Sequence, residues 1–149
     1  MVDPVKSQRQ IVIVEDNPAD VFLFCEALRD RGVRAAVDRY ADGPDALRGL
    51  GAAAAAPDLI VLDLNLPSCS GLDILEWIRR TPLLNKVPVA VLTSSASPRD
   101  RDSCLDRGAT RYVVKPMELQ PFLADVGGAV FELLNTRAPE GPDCASTAG

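Results

Sequence analysis

Asp63 closes the apolar run Leu59-Ile60-Val61-Leu62, and the acidic pair Glu15-Asp16 closes a second such run, Ile11 to Val14. If both runs are buried parallel strands, their carboxyl ends open onto one crevice, the place where ligands bind in open α/β sheets. Three carboxylates gathered there repel one another, so the cluster needs a cation or must raise a pKa. A site made only of oxygen ligands suits Mg²⁺, which keeps several waters and commonly sits beside phosphate groups. Two further runs end in polar residues that would face the same crevice: Val89-Ala90-Val91-Leu92 in Thr93, and Tyr112-Val113-Val114 in Lys115, followed by Pro116. Lysine supplies a point charge for a phosphoryl oxygen, and a hydroxyl can contact another. A single polar ending is what any strand requires. Endings of Glu-Asp, Asp, Thr and Lys on four of five strands form a constellation, expected to hold a hard metal ion and handle phosphoryl groups.

Such side chains need a scaffold that brings strand ends together. Apolar runs predict strands over Gln10–Val14, Val33–Arg39, Leu59–Leu62, Val87–Leu92 and Arg111–Val114. Helical patterns lie between them, over Pro18–Arg31, Pro44–Ala55, Leu72–Arg80 and Pro98–Arg107, with a last helix over Glu118–Asn135. Runs that do not alternate in polarity are what a parallel sheet covered on both faces requires. Asn17-Pro18 and Ser97-Pro98 read as N-caps followed by proline at the first helical position, and Gly32 and Gly108 read as helix stops. The expected fold class is α/β, a doubly wound five-stranded parallel sheet with five helices. Residues 10–135 form the expected domain, with an N-terminal extension over 1–9 and a flexible tail over 136–149, whose Pro, Gly, Ser and Thr resist packing.

Composition narrows the function classes. The chain has 149 residues, a single domain's worth, and a net charge of −5, which argues against a nucleic-acid surface. Arg29, Arg31 and Arg34 come close together, but Asp30 interrupts them, and they read as a solvated helix end. No apolar stretch approaches the roughly 20 residues that span a bilayer. The opening with Asp3 and Pro4 lacks the order of a signal peptide, so a cytoplasmic location is expected. There is no histidine, which removes mixed-ligand zinc sites and Ser-His-Asp triads. Of the four cysteines, Cys25 and Cys104 read as small core residues. Cys69 falls in a loop near Asp63, where a redox role stays open.

The motif set resembles the receiver domain of two-component response regulators, over roughly residues 10 to 135. On that resemblance the sheet is flavodoxin-like, order 2-1-3-4-5. Glu15-Asp16 matches the acidic metal-binding pair, Asp63 the phosphoacceptor, and Asn65 the position whose backbone carbonyl is a metal ligand. Thr93 takes the switch-hydroxyl position, Lys115 the phosphate-contacting lysine, Tyr112 the aromatic switch, and the Lys115–Pro116 peptide is expected to be cis. The resemblance implies Mg²⁺ or Mn²⁺ as cofactor and a histidine kinase as partner, its phosphohistidine being attacked by Asp63 to form an acyl phosphate. Such a chain is a signalling switch that catalyses its own phosphorylation and dephosphorylation rather than an enzyme acting on other substrates. The segments V-E-D-N-P-A-D, D-L-N-L-P and L-T-S-S look most like small stand-alone regulators paired with phytochrome-type histidine kinases. One departure is Ser94, where the family usually has alanine or glycine, so the lifetime of the phosphorylated state is not fixed by the resemblance.

Some residues have two readings. Tyr112 is a switch or ordinary strand packing, since strands favour aromatics. On the first helix Val21, Phe24, Cys25 and Leu28 share the core face, while Phe22 is either a kinase-docking residue or covered by a neighbouring helix. On the last helix Leu119, Phe122, Val126, Val130 and Leu133 make the core stripe. Phe131, beside Gly127 and Gly128, is a candidate homodimer surface. Two rival functions are an aspartate-nucleophile phosphatase and a scaffold that binds partners without phosphorylation. The first needs a second aspartate where this chain has Asn65; the intact Glu15, Asp16, Asp63, Thr93 and Lys115 weigh against the second.

Overall fold

The computed structural model describes residues 8–136. The expected N-terminal extension and C-terminal tail therefore lie, except for their inner edges, outside the described residues. Five strands, β1 (Arg9–Val14), β2 (Ala35–Tyr40), β3 (Leu59–Leu62), β4 (Val89–Thr93) and β5 (Arg111–Val114), pair in parallel in the order β2-β1-β3-β4-β5. Between and after them run α1 (Pro18–Arg31), α2 (Gly43–Gly51), α3 (Gly71–Arg80), α4 (Pro98–Asp106) and α5 (Leu119–Thr136). The fold class and strand order are those expected.

The apolar runs are continuous because the sheet has a core on each face. Val12, Val14, Ile60, Leu62, Val89 and Val91 pack with α2, α3 and α4. The intervening Ile11, Ile13, Leu59, Val61, Ala90 and Leu92 pack with α1 and α5. Every residue of β3 and β4 is buried, whereas the edge strands β2 and β5 are only half-buried. Period-two alternation thus separates two cores rather than a core from water.

Helix ends follow the residue chemistry. Asn17 Oδ1 accepts from the Ala19 amide at 2.9 Å, and Pro18 opens α1. Gly32 closes that helix at φ 79°, a conformation glycine adopts without strain. The next amide, that of Val33, donates to Leu28 O at 2.8 Å, so Val33 belongs to the helix cap and β2 begins two residues later than its sequence predicts. The second helix also stops earlier than expected, at Gly51 rather than Ala55. Alanine favours helix, but Pro57 turns its predecessor away from helical angles, and Asp58 N already donates to Gln10 O at 2.7 Å beside β3. β4 starts after Pro88, which has no amide for the ladder. No peptide among the described residues is cis. The Lys115–Pro116 bond is accordingly trans, against expectation, in the isomer X-Pro bonds prefer by about 0.5–1 kcal/mol.

The stripe on α5 holds from Phe122 onward, with Val126, Val130 and Leu133 buried. Leu119 departs from it at 53% exposed, because the first residue of α5 has not yet reached the sheet. Among the predicted core cysteines, Cys104 is fully buried and Cys25 half-buried. The glycine pair has a different partner from the one proposed on sequence. A Cβ at Gly127 would lie 2.8 Å from Ala27 O, so this flank is where α1 presses against α5 within one chain. Arg31 of α1 also covers the Phe131 ring, its guanidinium carbon 4.8 Å from the centroid.

The two glycines predict opposite outcomes. Gly127→Ala should destabilise by about 1–3 kcal/mol, since Ala27 O is backbone and the helices must part. Gly128→Ala would meet only Arg31 Nη1 at 3.6 Å, an ordinary contact, and should stabilise by up to about 1 kcal/mol from helix propensity. Urea denaturation of both variants checks the contrast; equal effects would contradict the packing.

Candidate functional site

Sheet register delivers the carboxylates. Val14 pairs with Leu62, and the Asp63 amide donates to Val14 O at 3.1 Å, so Glu15 and Asp63 leave the sheet side by side. On the other flank Thr93 pairs with Val114, and the Lys115 amide donates to Thr93 O at 2.7 Å. The crevice lies where strand order reverses, with β1 connecting outward to β2 and the chain then crossing back to β3.

At its centre stands Lys115. Its Nζ donates to Glu15 Oε1 at 2.8 Å, to Asp20 Oδ2 at 2.8 Å and to Asp63 Oδ2 at 3.4 Å, across 100, 95 and 52 residues of sequence. The three donors of one ammonium are thus all engaged. Glu15 and Asp63 are buried and Asp16 is exposed. Backbone amides hold the remaining oxygens: Asn17 N donates to Glu15 Oε2 at 3.2 Å, and Asn65 N to Asp63 Oδ1 at 3.2 Å. Arg39, at the end of β2, donates to the carbonyls of Glu15 and Asp16 at 3.1 and 3.0 Å, which fixes the backbone under the acidic pair. Gly71 permits a further close approach, because a Cβ there would lie 2.6 Å from Asp63 O.

One ammonium cannot balance this much negative charge. Burial pushes the Glu15 carboxyl up to about 7, the neighbouring Asp63 charge adds to the rise, and the hydrogen bond from Lys115 opposes it. Burial pulls the Lys115 ammonium down, but hydrogen bonds to Asp20 and Glu15 outweigh it and hold Lys115 above the ordinary lysine range. Ligand oxygens of Glu15, Asp16 and Asp63 lie within 4.8 Å of one another. Hard oxygen donors, excess negative charge and an open cleft of about 590 Å³ lined by Asp16, Asn65, Pro67 and Cys69 fit a Mg²⁺ or Mn²⁺ ion that keeps part of its water.

Thr93 is fully buried at the end of β4, with its Oγ1 accepting from Ser95 N at 3.3 Å. Tyr112 is half-buried: its ring packs against the core and its hydroxyl donates to Ser95 O at 2.8 Å. Ser95 Oγ in turn donates to Asp100 Oδ2 at 2.6 Å and accepts from Ser97 N at 3.2 Å. The loop under the crevice is therefore tied to both Thr93 and Tyr112 through Ser95. Cys69 sits half-buried beside Gly43, and burial raises its thiol, which disfavours the reactive thiolate. Phe22 is 63% exposed on α1 and Phe131 41% exposed on α5.

Of the residues singled out on sequence, the structure gathers Glu15, Asp16, Asp63 and Lys115 at one rim, with Thr93 and Asn65 on the strand and loop beside them. Asp20, Arg39 and Ser95 were missed as site residues. Asp20 stands in the first turn of α1, a position that acidic charge at a helix N-terminus alone accounts for.

Metal ligands must be deprotonated to bind, so Glu15 at about 7 links Mg²⁺ affinity to pH. Apparent Mg²⁺ affinity should rise about tenfold from pH 6 to pH 8, as a proton stops competing. Between pH 4.5 and 7 the folded metal-free chain keeps a proton the unfolded chain has released, so its stability falls as pH rises through that window. Thermal melts with and without Mg²⁺ across this range check both signs; a Mg²⁺-induced shift independent of pH would contradict them.

A family model, the response regulator receiver domain, matches residues 11–126. Among solved structures, the phosphorylated cyanobacterial phytochrome response regulator RcpA is 36% identical, with a TM-score of 0.80 over 87% of this chain and 96% of that one. The Mn²⁺-bound form of response regulator Rcp1 is 31% identical, with a TM-score of 0.78 over 86% and 96%. Among curated relatives, the probable methanogenesis regulatory protein FilR2 of Methanothrix harundinacea is 32% identical over 74% of each chain. The transcriptional regulatory protein PrrA of Mycobacterium leprae is 38% identical over 77% of this chain, which spans about half of PrrA's length (47%). No described helix is long and apolar enough to cross a membrane. A parallel sheet in this order, carrying these carboxylates, this lysine and this buried threonine on its rim, belongs to the response regulator receiver domain family.

Proposed function

We propose that this chain is a phosphorylation-driven switch in which Asp63 accepts a phosphoryl group from a phosphohistidine of a histidine kinase. The observation that carries the reading is Lys115 Nζ 3.4 Å from Asp63 Oδ2, in a cluster whose carboxylate oxygens lie within 4.8 Å of one another. An Oδ of Asp63 attacks phosphorus; the bond from phosphorus to the donor imidazole nitrogen breaks, and that nitrogen keeps the electron pair. The absent histidine in this chain is consistent with a donor on the partner. Phosphoryl transfer needs positioning and charge stabilisation more than covalent chemistry from the protein. The Asn65 amide aims Asp63, Lys115 meets the incoming phosphoryl oxygens, and Thr93 Oγ1 turns toward them. Glu15, Asp16, Asp63 and the Asn65 carbonyl would hold Mg²⁺ or Mn²⁺, which when bound would supply positive charge to offset the carboxylates facing an incoming phosphoryl group.

Phosphorylation adds about −1.5 to −2 of charge. Thr93 turning toward it would withdraw the Oγ1 that accepts from Ser95 N, and Ser95 carries the Tyr112 hydroxyl. The change reaches α4 through Ser95 and Asp100, and the exposed apolar side chains Leu105, Val114 and Met117 lie on α4, β5 and the following loop. A phytochrome-type kinase is the proposed donor, supported by the likeness to RcpA and Rcp1. Its proposed docking residue is Phe22, supported by that ring's exposure. A homodimer through Phe131 belongs to the same proposal, resting on its half-exposed ring alone now that α1 occupies the glycine flank; sedimentation showing only monomers would remove it.

Incubation with acetyl phosphate and Mg²⁺ should give one hydroxylamine-labile phosphoryl adduct, which Asp63→Asn abolishes. An adduct elsewhere, or none, overturns the reading. Multiple turnover of small phosphate esters would favour a phosphatase, although Asn65 offers no second carboxylate to serve as acid.

A further inference from the structure

We propose that Asp20 is a positioning residue, which holds the Lys115 ammonium between α1 and Asp63 and so sets how firmly Lys115 grips a phosphoryl group. The inference rests on Asp63 being the phosphoacceptor. Lys115 Nζ is 2.8 Å from Asp20 Oδ2 but 3.4 Å from Asp63 Oδ2, so the ammonium is drawn off the phosphoacceptor toward the helix. Its side chain is 9% exposed and that of Asp20 23%, which leaves little water to screen the pair. Asp20 stands outside the Glu15, Asp16 and Asp63 ligand group, so a bound cation leaves its carboxylate free to keep the lysine. Glu15, by contrast, is shared between Lys115 and that cation.

The consequences have a definite sign. Without the Asp20 charge, Lys115 pairs more tightly with Glu15 and Asp63, and a divalent cation must displace it. Loss of a nearby negative charge acts in the same direction, so metal binding weakens. Once Asp63 carries a phosphoryl group, the same release leaves Lys115 wholly available to it, and the acyl phosphate persists longer.

The test uses the full chain with Asp20→Asn, which keeps shape and removes charge, and Asp20→Glu, which restores charge. Mg²⁺ affinity is read from thermal shift, and phosphoryl loss from Asp63 is followed after acetyl phosphate is removed. Asp20→Asn should weaken Mg²⁺ and slow phosphoryl loss, each by roughly threefold to tenfold, the difference between a charged and a neutral hydrogen-bond partner. Asp20→Glu should recover most of both effects. In a Lys115→Ala background the effect of Asp20→Asn on Mg²⁺ should shrink; if it persists in full, Asp20 does not act through Lys115. A change in melting temperature alone, with Mg²⁺ affinity and phosphoryl lifetime as in the parent, would reduce Asp20 to a helix-end charge and overturn the proposal. Failure of the parent chain itself to take phosphate on Asp63 would instead overturn the underlying function.

Discussion

Among the described residues, Lys115 is the one ammonium paired with the carboxylates of Glu15, Asp20 and Asp63, and the three hydrogen bonds it makes use every proton it has. Removing such charges from water costs several kcal/mol each unless they are paired, so a cluster of this kind persists only where the backbone imposes it. The remaining imbalance appears in Glu15, pushed up toward neutrality by burial and by Asp63. A site strained in this way is poised for a cation, and for a ligand that brings its own oxygens for Lys115 to hold.

The backbone imposes it through register. Parallel pairing of Val14 with Leu62 and of Thr93 with Val114 sets four strand ends on one edge. Two cores, one per face, make that register costly to shift, since a one-residue slip would exchange the side chains facing α1 and α5 with those facing α2, α3 and α4. Side chains that emerge from the rim are therefore placed by apolar contacts well below them. Loops add the final constraints: Gly71 lets α3 approach Asp63 O, and Arg39 fixes the carbonyls of Glu15 and Asp16.

Much of this was legible in the chain, for a physical reason. Strand endings read directly because a buried parallel strand is an unbroken apolar run, and its first polar residue marks the rim; Glu15, Asp63, Thr93 and Lys115 all follow that rule. Residues approaching from elsewhere did not read. Asp20 reaches Lys115 only because α1 returns over the crevice, and Arg39 reaches Glu15 only because β2 lies next to β1. Gly127 looked like a dimer contact because a small residue on a helix announces a close neighbour without saying which one; the neighbour is α1. Val33 looked like strand because its apolar character is real, but its amide closes the preceding helix.

The central claim is that negative charge at this rim is organised for a divalent cation that takes carboxylates away from Lys115. Crystals grown with Mn²⁺ and measured at its absorption edge test this directly. The predicted result is an anomalous peak bounded by Glu15, Asp16 and Asp63, with Lys115 still paired to Asp20. A peak elsewhere, or none at saturating Mn²⁺ with Lys115 still bridging Glu15 and Asp63, would contradict it.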